Sequence, residues 1–144
     1  VNMEDMVKLN YRVCPEDFVK AGDASSNTKK VLKKLSIPSD ITRRAAVVTY
    51  EAEMNIIIHS VGGEITVNIS TKKIEIIAKD WGPGIPDIDK AMQKGYSTAS
   101  NQVREMGFGA GMGLPNMKRC SDEFLIESQK GKGTTVTSTI HITN

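Results

Sequence analysis

The chain reads as an α/β protein: a two-layer sandwich with a mixed, mostly antiparallel sheet covered by helices on one face. Three observations predict it. Apolar residues recur with period two at both ends of the chain and in its middle. A long stretch with a helical apolar stripe lies between the first two of these segments. Glycine-rich clusters separate the later ones. At 144 residues the length fits one domain, 1–144.

The elements follow in order. Val7 to Val13 alternates as a first strand. Pro15 and the acidic pair Glu16-Asp17 then suit the start of a helix, where negative charge is favoured. Phe18, Ala21, Ser25, Thr28, Leu32 and Leu35 continue at helical spacing, interrupted by Gly22. Pro38 breaks the pattern, and Ser39 or Asp40 can cap a second helix, about Asp40 to Ser60. Its apolar stripe is Ile41, Ala45, Val48, Ala52 and Ile56. After Gly62-Gly63, Ile65, Val67 and Ile69 alternate with polar residues as a half-buried strand. A Thr71-Lys72-Lys73 turn leads to Ile74 to Ala78, more continuously apolar and so nearer the sheet centre. Short helices are expected near Asp87 to Gln93 and Pro115 to Ser121. A last hairpin, Phe124 to Ile126 and Thr135 to Ile142, turns at Gly131-Lys132-Gly133.

Composition narrows the function. Nineteen Lys and Arg against seventeen Asp and Glu leave a net charge of +2, too small to argue for nucleic acid or an anionic membrane. The basic stretch at Lys29-Lys30 and Lys33-Lys34 reads as a solvated helix face. Cys14 and Cys120 have no paired spacing, so neither a disulfide framework nor a zinc site is expected. No apolar run approaches ~18 residues and no signal-peptide pattern opens the chain. The expected setting is soluble and cytoplasmic.

The chemistry concentrates in four places. Glu51 and Asn55 are one helical turn apart and border the apolar stripe. Burial there requires partners; placement at the helix edge is the simpler alternative. Asp80-Trp81-Gly82-Pro83-Gly84 follows the central strand, giving a fixed acceptor beside exposed backbone, although Asp, Gly and Pro also make plain turns. Gly107, Gly109, Gly111 and Gly113 fall at every second position. Their backbone N–H groups can converge on an anion, with the next helix start adding positive potential; a flexible linker is the alternative. The spacing G-x-G-x-x-G is not met, because Met112 and Leu114 stand where the third glycine belongs, and Lys132 lacks P-loop context. Gly133-Thr134-Thr135-Val136 is the fourth.

Taken in order, these four resemble the GHKL ATPase/kinase superfamily with its Bergerat nucleotide fold. Ala91 to Thr98, Gly113-Leu114-Pro115 and Asp122-Glu123-Phe124 are especially similar to its small anti-sigma-factor and switch-protein serine/threonine kinases. The resemblance implies ATP and Mg²⁺ as cofactors. It implies Asn55 as the metal ligand, Asp80 as the reader of the adenine amine, and Gly82 and Gly84 as the adjoining turn. It implies Thr134 near the adenine, Gly107 to Gly113 as the lid over the phosphates, and Glu51 as general base. The implied activity is phosphorylation of a small antagonist protein with a STAS-type domain. A sigma factor is a second class of partner, and a homodimer is compatible with the family. A non-catalytic, nucleotide-dependent anti-sigma or scaffold module is the alternative. A histidine kinase would need a phosphoacceptor His on a helical dimerisation segment, whereas His59 ends the second helix and His141 lies in the last strand. Two departures stand out: Ser100 to Met106 lengthens the lid, and Met54 precedes the asparagine where a basic residue is common.

Overall fold

The computed structural model describes residues 6–15, 17–59, 61–82, 92, 113–129 and 131–142. Its elements are β1 (Val7–Val13), α1 (Asp23–Lys34), α2 (Ser39–His59), β2 (Gly63–Ile69), β3 (Lys73–Asp80), α3 (Gly113–Arg119), β4 (Glu123–Gln129) and β5 (Gly133–His141). The five strands form one sheet in the order β1-β2-β3-β5-β4. Every described pairing is antiparallel. β3 is central, as its apolar run predicts.

The burial of each strand follows the pleat. Ile65, Val67 and Ile69 of β2, Ile74, Ile76 and Ala78 of β3, and Val136 and Ile140 of β5 are buried on one face. The stripe of α2 meets that face: Ile41, Ala45, Val48, Ala52 and Ile56 are all buried in the same core. Each large aliphatic side chain so placed contributes roughly 1.5–3 kcal/mol relative to exposure. The β2–β3 hairpin is tied by Ser70, whose N–H donates to the Lys73 carbonyl at 2.9 Å. Its hydroxyl oxygen accepts the Lys72 and Lys73 N–H groups at 3.3 and 3.2 Å.

The first helix departs from expectation. It starts at Asp23 and not after Pro15, because Gly22 adopts a left-handed φ of 96° as its N-cap. No local side chain caps it. Glu53 of α2 does so instead, accepting the Gly22 N–H at 2.9 Å and the Ala24 N–H at 3.5 Å. The far end closes with Ser36 at φ 59°. There the Ile37 N–H donates to the Leu32 carbonyl and the Ser36 N–H to that of Lys33, both at 3.1 Å. This is a Schellman closure with serine in the glycine place, and Pro38 follows it.

The last hairpin is longer than the sequence suggested, because β-pairing extends β4 to Gln129 and starts β5 at Gly133. Likewise Gly63, expected beside the end of α2, is the first residue of β2 and pairs with Asp80. The helix expected near 87–93 lies outside the described residues. Among the described residues no helix is long and apolar enough to cross a membrane.

Candidate functional site

α2 presents Glu51 and Asn55 toward α3. A β-carbon placed on Gly113 would lie 3.0 Å from Asn55 Oδ1 and 3.1 Å from Glu51 Oε2. Only a glycine lets the α3 backbone come this close without displacing either side chain. Asn55 Nδ2 faces Met117 Sδ at 4.0 Å, a weak bond to a buried thioether. Burial raises the affinity of Glu51 for its proton above that of an ordinary glutamate, and the Asn116 amide on α3 partly offsets this. A partly desolvated carboxylate of this kind is a better proton acceptor than one in water.

A second cluster forms at the end of β3. Asp80 Oδ1 accepts the Gly82 N–H and the Thr134 N–H, each at 3.1 Å. The backbone is crowded from both neighbouring strands. A β-carbon on Gly63 would collide with the Lys79 carbonyl, and one on Gly133 with that of Asp80. Gly133 also sits at φ 107°, which favours glycine. The Thr134 hydroxyl is shared with Ser128 at 3.0 Å, so the threonine braces Asp80 through its main chain. Trp81 lies beside the carboxylate in sequence, with Arg12 of β1 stacked 5.1 Å from its ring centre.

The sequence-predicted residues therefore divide into two groups. Glu51, Asn55 and Gly113 meet between α2 and α3. Asp80, Gly82 and Thr134 meet where β3 and β5 end and begin. Gly84, Gly107, Gly109 and Gly111, with the Ser100 to Met106 extension of the lid, lie outside the described residues. Sequence reasoning missed Asn116, Gly63 and the buried Glu53. Asn116 had a local signal, since it stands three residues after Gly113 on the same helix. Glu53 had none, because its partners belong to α1.

The residues also fit a nucleotide and its metal. A hard amide oxygen, a carboxylate and a close-approaching backbone suit Mg²⁺ and phosphate, and a strand-end carboxylate held by two N–H groups suits an amine donor.

An antiparallel sheet backed by helices in this way fits the Bergerat-type fold of an ATPase domain. Residues 41–144 match the family described as histidine kinase-, DNA gyrase B-, and HSP90-like ATPase, and the chain belongs to that family. Among its relatives is the serine/threonine-protein kinase RsbT of Bacillus subtilis, 36% identical over 112 residues covering 75% of this chain and 78% of that protein. The anti-sigma F factor of Thermoanaerobacter sp. is 43% identical over 97 residues, 64% of each chain. The fold is also that of the SiaB–SiaC complex structure from Pseudomonas aeruginosa, at a TM-score of 0.63 and 12% identity, covering 94% of this chain and 90% of that one.

Proposed function

We propose that the protein is a serine/threonine kinase that uses Mg-ATP to phosphorylate a small antagonist protein with a STAS-type domain. The observation that carries the reading is the meeting of the Glu51 carboxylate and the Asn55 carboxamide at Gly113. Relatives named as a serine/threonine kinase and as anti-sigma factors support it.

Asp80 would accept the exocyclic amine of adenine, with its Oδ1 held by Gly82 and Thr134. Gly84 would continue that turn. Backbone N–H groups of Gly107, Gly109, Gly111 and Gly113 would surround the phosphates. Asn55 would offer Oδ1 to the metal. When bound, Mg-ATP supplies the phosphoryl group and offsets the charge that develops as it transfers. Glu51 receives the proton of the attacking Ser or Thr hydroxyl, and its partial burial favours holding it.

The test is incubation of the purified protein with labelled ATP and candidate STAS-type proteins, followed by phosphoamino-acid analysis. Phosphoserine or phosphothreonine on the antagonist is expected. Stable capture of a sigma factor with no antagonist phosphorylated would favour a non-catalytic anti-sigma module instead.

A further inference from the structure

Asp80 and Trp81 are consecutive, yet they reach in different directions across the sheet. Asp80 is tied toward β5, where its Oδ1 accepts the Thr134 N–H at 3.1 Å. Trp81 is tied over β2 toward β1. Its N–H donates to the Gly62 carbonyl at 3.0 Å. A β-carbon on Gly62 would lie 3.5 Å from Trp81 Cε3, and Gly62 holds a φ of 121°, so the ring rests on backbone that glycine alone adopts without strain. The Arg12 guanidinium of β1 lies 5.1 Å from the ring centre. β1 and β3 are not neighbours in the sheet, since β2 runs between them. The indole therefore spans β2 and fastens the end of β3 to the edge strand.

The turn after β3 needs such a restraint. The register of β2 with β3 ends at the Gly63–Asp80 pair, so the carboxylate sits where strand pairing stops fixing the backbone. A hydrogen bond weakens steeply once its angle is poor, and a carboxylate that selects an amine must therefore keep its direction. Trp81 is 42% exposed, so the ring is not placed there to fill the core. We propose that Arg12 and Trp81 are positioning residues for the Asp80 carboxylate: their stack holds the Asp80–Gly82 turn from the side away from β5. The consequence for nucleotide binding rests on the reading of Asp80 as acceptor of the adenine amine; the hold on the carboxylate does not depend on that reading.

The two are tested separately in the full chain, first with Arg12→Ala, a change at an exposed side chain. The first measurement is amide hydrogen exchange. The Thr134 and Gly82 N–H groups both donate to Asp80 Oδ1. They should exchange about threefold faster, the effect expected of an exposed cation–π pair, while Ile76 and Ile140 in mid-sheet keep the rates of the parent. The second is equilibrium binding of ATP against purine riboside triphosphate, which lacks the exocyclic amine. The parent should prefer ATP. That preference should fall about threefold in Arg12→Ala and about tenfold in Trp81→Ala, which also loses the ring on Gly62. A merely structural role would weaken both nucleotides alike. Trp81→Phe, which keeps an aromatic face for Arg12, should recover most of the preference. Exchange at Thr134 and Gly82 that is unchanged, or that rises equally at Ile76 and Ile140, overturns the proposal. So does an unchanged preference in Arg12→Ala beside a selective parent. If the parent does not distinguish the two nucleotides while exchange at Thr134 and Gly82 alone responds, the adenine reading of Asp80 fails and the positioning contact stands.

Discussion

Glu51 and Glu53 stand two residues apart on α2, pointing roughly 200° apart around the helix axis, and burial raises the proton affinity of both. Glu53 is 4% exposed, and its two oxygens accept the Gly22 and Ala24 N–H groups that open α1. These donors belong to a helix terminus and cannot leave without unravelling it. Glu51 faces the α3 side, where the neighbouring backbone is the glycine at position 113. Thus one helix carries a carboxylate committed to structure and another that the proposed function assigns to chemistry. Desolvation does not separate them. The surroundings do: two main-chain donors hold Glu53, while Glu51 lies against the close-approaching backbone of Gly113.

The comparison is sharpest in single substitutions. Glu51→Gln should reduce phosphotransfer by ~10²-fold or more while the affinity for ATP, read by calorimetry, stays within about threefold. An equal loss of ATP binding would contradict its role. Glu53→Gln should do the reverse. Its amide would keep one acceptor but set an NH₂ donor against the N–H of Gly22 or Ala24, costing about 2 kcal/mol in urea unfolding, with transfer per folded molecule unchanged. An unaltered unfolding midpoint would break the distinction between the two glutamates.

A smaller effect is expected at Gly113. An added methyl group must push against both Asn55 and Glu51, whereas the helix itself tolerates alanine well. Gly113→Ala should lower transfer about tenfold and change stability by less than about 1 kcal/mol. A large fall in the melting temperature would place the glycine with the structural side of α2.

The smallest effect comes from a carboxylate of the opposite kind. Asp122 accepts the His141 N–H at 2.7 Å and pairs with Arg44 at 3.2 Å. The His141 bond, followed by the Arg44 guanidinium, lowers its pKa below the ordinary aspartate range despite some opposing desolvation. A group whose folded pKa is depressed adds stability above its unfolded pKa, near ~3.9, and loses it as pH falls through the folded value. Unfolding midpoints should therefore fall less between about pH 6 and pH 3 in Asp122→Asn than in the parent. Identical slopes would remove Asp122 as a contributor.

Much of this was legible in the chain because it is local. The α2 stripe from Ile41 to Ile56 follows from helical spacing, and all five residues are buried as expected. The i, i+4 relation of Glu51 and Asn55 follows from the same geometry. Asp80 closing β3 was readable from the apolar run before it and the glycines after it. Element ends were less legible. α1 starts eight residues after Pro15, although Glu16-Asp17 is a sound helix opening, because Gly22 turns the chain and Glu53 supplies the missing cap. β5 starts at Gly133 because its neighbour β4 offers a partner there.

The amino-acid sequence by itself determined the type and order of the described elements, the central place of β3, and the chemical types gathered at the site, since period, turn chemistry and residue spacing are properties of short segments. Tertiary structure alone decided the strand order β1-β2-β3-β5-β4 and the different surroundings of two neighbouring glutamates. It alone brought Gly113 to Glu51, and Gly63 and Gly133 to either side of Asp80. These depend on which surfaces meet. A carboxylate's surroundings depend on the donors that reach it, and for Glu53 those donors lie 29 and 31 positions earlier in the chain.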